Sequence, residues 1–312
     1  MNKDFTLEIP VVYCTFNRLD CTKQSFERIK NNKPQKLYLV SDGPRSHVEG
    51  EKEKVEEVRN YIMENIDWDC EVHTNFAEEN MGCGKRMSSG ITWAFDHEKW
   101  AIIIEDDCLV NTSFFRFCQE LLIRYENNDQ IGVISGYRTI VGEETTYSYF
   151  FSGFAEIWGW ATWKRVWEKY DFDMKQWKNR KITKHMKEMM NKTAQESYRC
   201  LFDWVYNHQL DTWDYQLQYQ VFMNEWLAVK PRQSMVQNVG FGDDATHTMD
   251  LPEEIVTDRS WEMEFPLKHP DKIERNTEYD KKYVAVQWKI DLITFIKMNI
   301  KACINYFRRR FL

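Results

Sequence analysis

Between residues 9 and 135, short β-branched apolar runs alternate with charged amphipathic segments, and that alternation leaves few folds open. Residues 9–16 (IPVVYCTF), 36–40, 70–74, 100–104 (WAIII) and 131–135 read as buried strands. Helices are expected between them at 21–30 (with Asn17 or Asp20 as its cap), 51–65, 85–97 and 112–125. Strands separated by helices build an α/β fold with a mainly parallel, Rossmann-like sheet flanked by helices. In such sheets a ligand lies beyond the carboxyl ends of the strands. Residues 15–18, Asp42 and residues 105–107 all fall at such ends, so the fold rule alone gathers them into one cleft.

The pattern changes after about residue 145. Aromatic residues crowd into 147–167, and helical segments follow at 181–190, at 195–208 and from Asp214. Residues 250–284 are polar and carry Pro252, Pro266 and Pro270, as a loop-rich extension would. This divides the chain into a domain at 1–250 and an extension at 251–312. The last stretch, 288–312, is basic: Lys289, Lys297, Lys301, Arg308, Arg309 and Arg310 stand against Asp291 among many apolar residues. Two readings fit it, an amphipathic helix at the inner membrane surface and a packing helix with a solvated basic end.

Composition removes several function classes. The net charge of −7 is wrong for a nucleic-acid binder. The eight cysteines are scattered without a C-x-x-C pair, so reduced thiols in the cytoplasm are expected rather than zinc or disulfides. There is no apolar run behind a basic start and no stretch of about 18 uncharged apolar residues, so neither a signal peptide nor a spanning helix is expected.

Glu105-Asp106-Asp107 carries the strongest chemical signal. Adjacent carboxylates at a strand exit repel one another unless a cation joins them, and Mg2+ or Mn2+ takes such oxygen ligands together with substrate phosphates. The plainer reading is a solvated turn ahead of the 112–125 helix. Thr15, Asn17 and Arg18 offer a hydroxyl, an amide and a guanidinium to a nucleotide and its phosphates. Asp42 could accept from a base or a ribose, or form an Asx turn before Gly43-Pro44. Gly82, Lys85 and Arg86 open a helix whose free N–H groups suit an anion; a simple glycine turn fits equally well. The block 151–163 (FSGFAEIWGWATW) offers Trp158 and Trp160 as a sugar platform or a core seam, with some rings buried and one or two facing the cleft. Asp214, beside apolar neighbours, suits a general base or a helix cap. His247 suits a metal or a phosphate, although a lone histidine is more often structural. Neither G-x-x-x-x-G-K-[ST] nor G-x-G-x-x-G is present at the first strand.

Taken in order, TFNR, SDG, N-x-G-C-G-K-R, IIIEDD and WGWATW resemble the GT-A fold nucleotide-diphosphosugar glycosyltransferases. More narrowly they resemble bacterial relatives of the inverting N-acetylglucosaminyltransferase I type, including the loop NVGFGDDATHT. The resemblance covers residues 8–250. It implies that Asp42 contacts the base, Asp106 the ribose or donor sugar, and Asp107 an Mn2+ or Mg2+ ion. It implies that Asp214 is the catalytic base and that His247 lies near metal or phosphate. Glu156 and Trp160 would belong to a loop near donor sugar and acceptor. The implied partners are a nucleotide-sugar donor, with a lean to UDP-N-acetylhexosamine, and a glycan or lipid-linked acceptor. Two other readings compete. A sugar-phosphate nucleotidyltransferase would carry a glycine-rich basic loop where this chain has CTFNRLD. A non-catalytic carbohydrate-binding protein would leave the acidic strand ends unexplained.

Overall fold

The computed structural model describes residues 5–140, 145–240 and 258–287. The expected alternation is present: β1 (Val11–Thr15), α1 (Leu19–Lys30), β2 (Lys36–Ser41), α2 (Glu51–Glu64), β3 (Glu71–Phe76), α3 (Cys83–His97), β4 (Trp100–Glu105), β5 (Cys108–Val110), α4 (Thr112–Arg124) and β6 (Ile131–Ser135). The central strands β1, β4 and β6 form because each is an apolar, β-branched-rich run buried along most of its length, whereas the edge strand β3 is only half-buried. The connections differ in how they begin. Asn111 accepts from the Phe114 N–H and caps α4. Neither Asn17 nor Asp20 caps α1, where Arg18 stands at the N-cap without a side-chain bond.

The 147–163 block holds two strands the sequence pattern did not separate, β7 (Tyr149–Ser152) and β8 (Trp160–Trp163). Downstream come α5 (Lys164–Trp167), a 3-10 turn at Lys175–Asn179, α6 (Lys184–Met189), α7 (Lys192–Tyr206), α8 (Asp214–Met223), β9 (Leu227–Pro231), β10 (Val236–Asn238) and α9 (Thr277–Gln287).

One sheet of eight strands runs β3-β2-β1-β4-β8-β6-β9-β7, and β5 pairs with β10 in a small ribbon. The pairs β3–β2, β2–β1, β1–β4 and β6–β9 are parallel. The strand β8 lies antiparallel between β4 and β6, and β7 lies antiparallel to β9. The sheet is therefore mixed, with its parallel half on the N-terminal side. Strand order reverses between β1 and β4, which puts a crevice at their carboxyl ends. Because β8 runs the other way, its first residue Trp160 pairs with Ile103. The chain just before β8 therefore sits at the same edge as Glu105.

Two apolar cores hold the chain. The larger wraps the sheet, from Val11 and Ile103 to Trp160 and Val229. The smaller, around Trp177, Phe202, Phe222 and Tyr279, joins the α6–α8 helices to α9. Residues 258–287 are stitched to this body. The Glu262 carboxylate accepts from the Thr112 and Ser113 N–H groups at the start of α4. Asp280 accepts from Ser152 Oγ (2.6 Å) and from the Gly153 N–H.

Candidate functional site

The centre of the crevice is built on the end of β4. Glu105 is in register with Cys14 of β1, and Asp106 and Asp107 follow it into the turn. The Arg18 guanidinium, one residue before α1, reaches across and pairs with both Asp106 and Asp107, the second at 3.0 Å. The Phe16 N–H approaches Asp106 at 3.4 Å. The turn backbone is held separately: Ser25 Oγ donates to the Asp106 carbonyl (2.8 Å) and sits 2.6 Å from the Tyr13 hydroxyl.

The electrostatics are unbalanced toward negative charge. Burial, followed by the charges of Asp107, Asp106 and Asp214, pushes the Glu105 carboxyl well above the usual range. Burial also raises Asp106, against the opposing pull of Arg18. Asp214 opens α8 and takes a hydrogen bond from the Thr212 hydroxyl. Its field reaches Glu105, Cys83 and Tyr170, so it shares the cleft with the acidic turn.

A hard cation fits this donor set. Asp107 is less buried than Asp106, which lies beside it. Opposite it the chain is glycine: a Cβ on Gly240 would fall far inside contact distance of Asp107 Oδ2. The Asp107 carbonyl accepts from the Val239 N–H (2.9 Å) at the same point. Among the described residues no group of three or more His, Cys, Asp or Glu side chains surrounds a point, so a cation here would draw further ligands from substrate oxygens and water.

The other expected site residues divide into those at the cleft and those drawn away. Thr15 closes β1, largely buried, and its carbonyl accepts from the Asp42 N–H (3.2 Å). Asn17 donates to Glu51 (2.9 Å), a buried carboxylate that also takes the Arg45 N–H and guanidinium. Asp42 is buried and committed: Oδ1 accepts from the Gly43 and Met81 N–H groups, and Oδ2 from Asn80 Nδ2 (3.0 Å). It organises the loop before α3, and no Asx turn forms because the residue two on, Pro44, has no N–H to donate.

The start of α3 corrects the expected anion site. Gly82 is the N-cap at φ +82°, but the helix N–H groups already have an anion. The Asp211 carboxylate accepts from Cys83 N (3.0 Å) and Gly84 N (2.9 Å). Lys85 is exposed on the first turn. Arg86 is buried and donates to the Asn75 carbonyl and side chain in β3, away from the acidic turn. An arginine on the inner side of a helix that packs on a sheet finds strand-end acceptors before it finds a ligand.

The tryptophan expectation also needs correcting. Trp160 is fully buried and stacks on Trp213 (centroids 5.5 Å, 24°), so it is core and offers no face to a sugar. Trp158 is half-buried against Tyr137, with centroids 4.5 Å apart, and it is the ring of the block nearer solvent. Glu156 is turned inward, paired with the fully buried Lys230 and accepting from the Thr139 N–H (2.7 Å), so this carboxylate holds the loop rather than a ligand. His247 and the basic 288–312 stretch lie outside the described residues. Sequence reasoning missed Asp211, Glu51 and Lys230, whose partners are distant in the chain or have no motif.

No family model matches the chain, and no curated protein matches it. Several solved structures overlap it weakly. A mannosyltransferase, PcManGT from Pyrobaculum calidifontis in complex with GDP-Man and Mn2+, is 13% identical over 53% of this chain and 47% of its own, with a TM-score of 0.37. S. aureus TarS 1-349 in complex with UDP-GlcNAc is 10% identical over 79% of this chain and 62% of its own, with a TM-score of 0.42. A cytidylyltransferase from Leptospira borgpetersenii is 12% identical over 54% and 64%, with a TM-score of 0.31. The chain thus spans less than two thirds of each of these proteins, and scores this low assign no role to any residue.

Proposed function

We propose that this chain is an inverting, metal-dependent glycosyltransferase of GT-A type that moves a sugar, with N-acetylhexosamine the expected class, from a nucleotide-diphosphate donor to an acceptor hydroxyl. The observation that carries the reading is the pairing of one guanidinium, Arg18, with two successive carboxylates, Asp106 and Asp107, at the β1/β4 strand ends, with Asp214 within electrostatic reach across the same cleft.

In this reading Asp214 accepts the proton of the acceptor hydroxyl. The acceptor oxygen attacks the anomeric carbon, the bond from that carbon to the diphosphate oxygen breaks, and its electron pair leaves with the nucleotide. Attack from the face opposite the leaving group inverts the centre. A cation held by Asp107, with His247 as a second expected ligand, would neutralise charge developing on the diphosphate when bound. Arg18 holds Asp106 and Asp107 in place and adds positive charge at the same edge. Trp158, half-buried against Tyr137, lies nearer solvent than the buried Trp160. The acceptor would be a glycan, or a lipid-linked one were the basic 288–312 segment to meet an anionic membrane surface rather than pack on the domain. No helix among the described residues is long and apolar enough to cross a membrane.

Isothermal titration of UDP, GDP, CMP and dTDP, each with and without Mn2+, tests the donor site. One nucleotide should bind in the presence of metal only, and Asp107→Ala should abolish that binding. Asp214→Asn should leave nucleotide binding intact and lower turnover at least about 100-fold. Metal-independent binding, or wild-type turnover in Asp214→Asn, would overturn the respective half of the assignment.

A further inference from the structure

The segment that delivers Asp214 is fastened to the start of α3 through Asp211. Asp211 is exposed, yet its two oxygens accept one N–H each from Cys83 and Gly84, about 130 residues earlier in the chain. The joint tolerates no side chain on the opposite wall. A Cβ at Gly82 would stand 2.7 Å from Asp211 Oδ2, and one at Gly84 would stand 2.5 Å from the Thr212 carbonyl oxygen. From there the chain is held at each step. Thr212 donates its hydroxyl to Asp214, and its carbonyl accepts from Gln216 Nε2 (2.8 Å). The Trp213 carbonyl accepts from the Tyr170 hydroxyl (3.0 Å), and its ring is locked against Trp160.

We propose that Asp211 is a positioning residue: by clamping 211–212 onto the α3 N-terminus it sets the place of the Asp214 carboxylate relative to the acidic turn of β4. This rests on Asp214 acting as the base. The helix dipole makes the clamp favourable, because a carboxylate on two terminal N–H groups is a charge-assisted contact. A base displaced by about 1 Å loses on the order of 100-fold in rate. The loss therefore falls on kcat and leaves donor affinity alone.

The full chain is assayed with Mn2+ and a panel of UDP-, GDP-, CMP- and dTDP-sugars, following nucleotide release with water as the acceptor. Asp211→Ala should lower kcat about 10- to 100-fold with KM for the donor changed less than about twofold. Asp211→Asn, which keeps one acceptor oxygen, should recover part of the loss. Gly84→Ala pushes on Thr212 from the other wall and should reproduce the effect with Asp211 present. The double variant Asp211→Ala/Asp214→Asn should be no slower than Asp214→Asn alone, because a residue that acts through the base has nothing left to act on. Near-wild-type kcat in folded Asp211→Ala, or a double variant slower by the full product, overturns the positioning role while the transferase reading stands. No turnover of any donor by the wild type, or full turnover by Asp214→Asn, overturns the base assignment and the positioning role together.

Discussion

Replacing Lys230 by Met isolates what the buried ion pair beside the cleft contributes. Lys230 is 0% exposed in the middle of β9, and Glu156, at 6%, is its one carboxylate partner in hydrogen-bond contact. Methionine matches the lysine stem in length and leaves no cavity, so the perturbation is electrical. Removing one partner of a buried pair typically costs about 3–5 kcal/mol, because the other charge remains without compensation. Glu156 would keep part of its shell here. The Thr139 N–H at 2.7 Å and the Thr139 hydroxyl both donate to Oε1. Only Oε2 loses its donor, which places the expected cost near the lower end, about 3 kcal/mol. For a chain of 312 residues that is a fall in Tm of about 4–5 °C.

Differential scanning calorimetry on Lys230→Met, Glu156→Gln and the double variant gives the cycle. The double variant should recover most of the loss, since neutralising both partners leaves hydrogen bonds without an unpaired charge. The same cycle separates structure from ligand contact. With Glu156 turned into the interior, manganese-dependent nucleotide binding should be unchanged in every folded member. A Lys230→Met protein as stable as the wild type would refute the electrostatic argument. A Glu156→Gln protein of wild-type stability that has lost nucleotide affinity would restore the ligand role implied by the sequence resemblance.

Glu51 carries a pH prediction. The Arg45 guanidinium holds its carboxyl below the ordinary glutamate value, so its stabilisation is complete above the unfolded glutamate pKa of about 4.3 and is lost as pH falls from there through the lowered folded value. Glu51→Gln should cost about 1 kcal/mol at pH 7 and give a shallower acid limb in urea titrations; an unchanged limb would disprove the linkage. Gly90 of α3 lies against Val40 of β2 so closely that a Cβ would overlap the valine methyl. Gly90→Ala gains up to about 1 kcal/mol of helix propensity and loses about 1–3 to overpacking, so a net fall in Tm is expected, and a rise would show that the helix can shift.

What was legible in the sequence is what short-range pattern encodes. Val11–Thr15 and the isoleucines of β4 announce buried parallel strands because nothing else keeps β-branched residues continuous. Their exits followed from the chain direction, and Arg18 meets the acidic turn there, with Asp214 within electrostatic reach of Glu105. The antiparallel half was hidden for a physical reason. The β8 run Trp-Ala-Thr-Trp is buried at every position, so it has no period-2 alternation to separate strand from core seam. The strand β9 contains a lysine, which reads as surface until Glu156, 74 residues away, is placed beside it. Lys85 and Arg86 misled because a glycine-opened helix start has the same local signature whether its anion is a ligand or a carboxylate of the chain. Which of Trp158 and Trp160 faces outward depends on the register of β8 on β4, and that pairing is not a property of the segment itself.

The engagement of Arg86 with Asn75 and the occupied start of α3 sharpen the chemistry. Had both met a diphosphate together with Arg18, a cation would have been an accessory. With the α3 N–H groups taken by Asp211 and Arg86 tied to Asn75, Arg18 is left as the described cation paired with the acidic turn. Against it stand Asp106, Asp107 and Asp214, which together with burial push the Glu105 carboxyl toward its neutral form. A nucleotide diphosphate entering that field meets net repulsion, and low local polarity at buried acids makes the repulsion stronger than in water. A divalent ion beside Asp107 reverses the sign at the point where the diphosphate must sit, and the Gly240 backbone leaves that side of the carboxylate clear of any Cβ. On the proposed function, the same excess of acid makes donor binding conditional on metal, and the titration with and without Mn2+ is the sharpest separation of a transferase from a carbohydrate-binding protein.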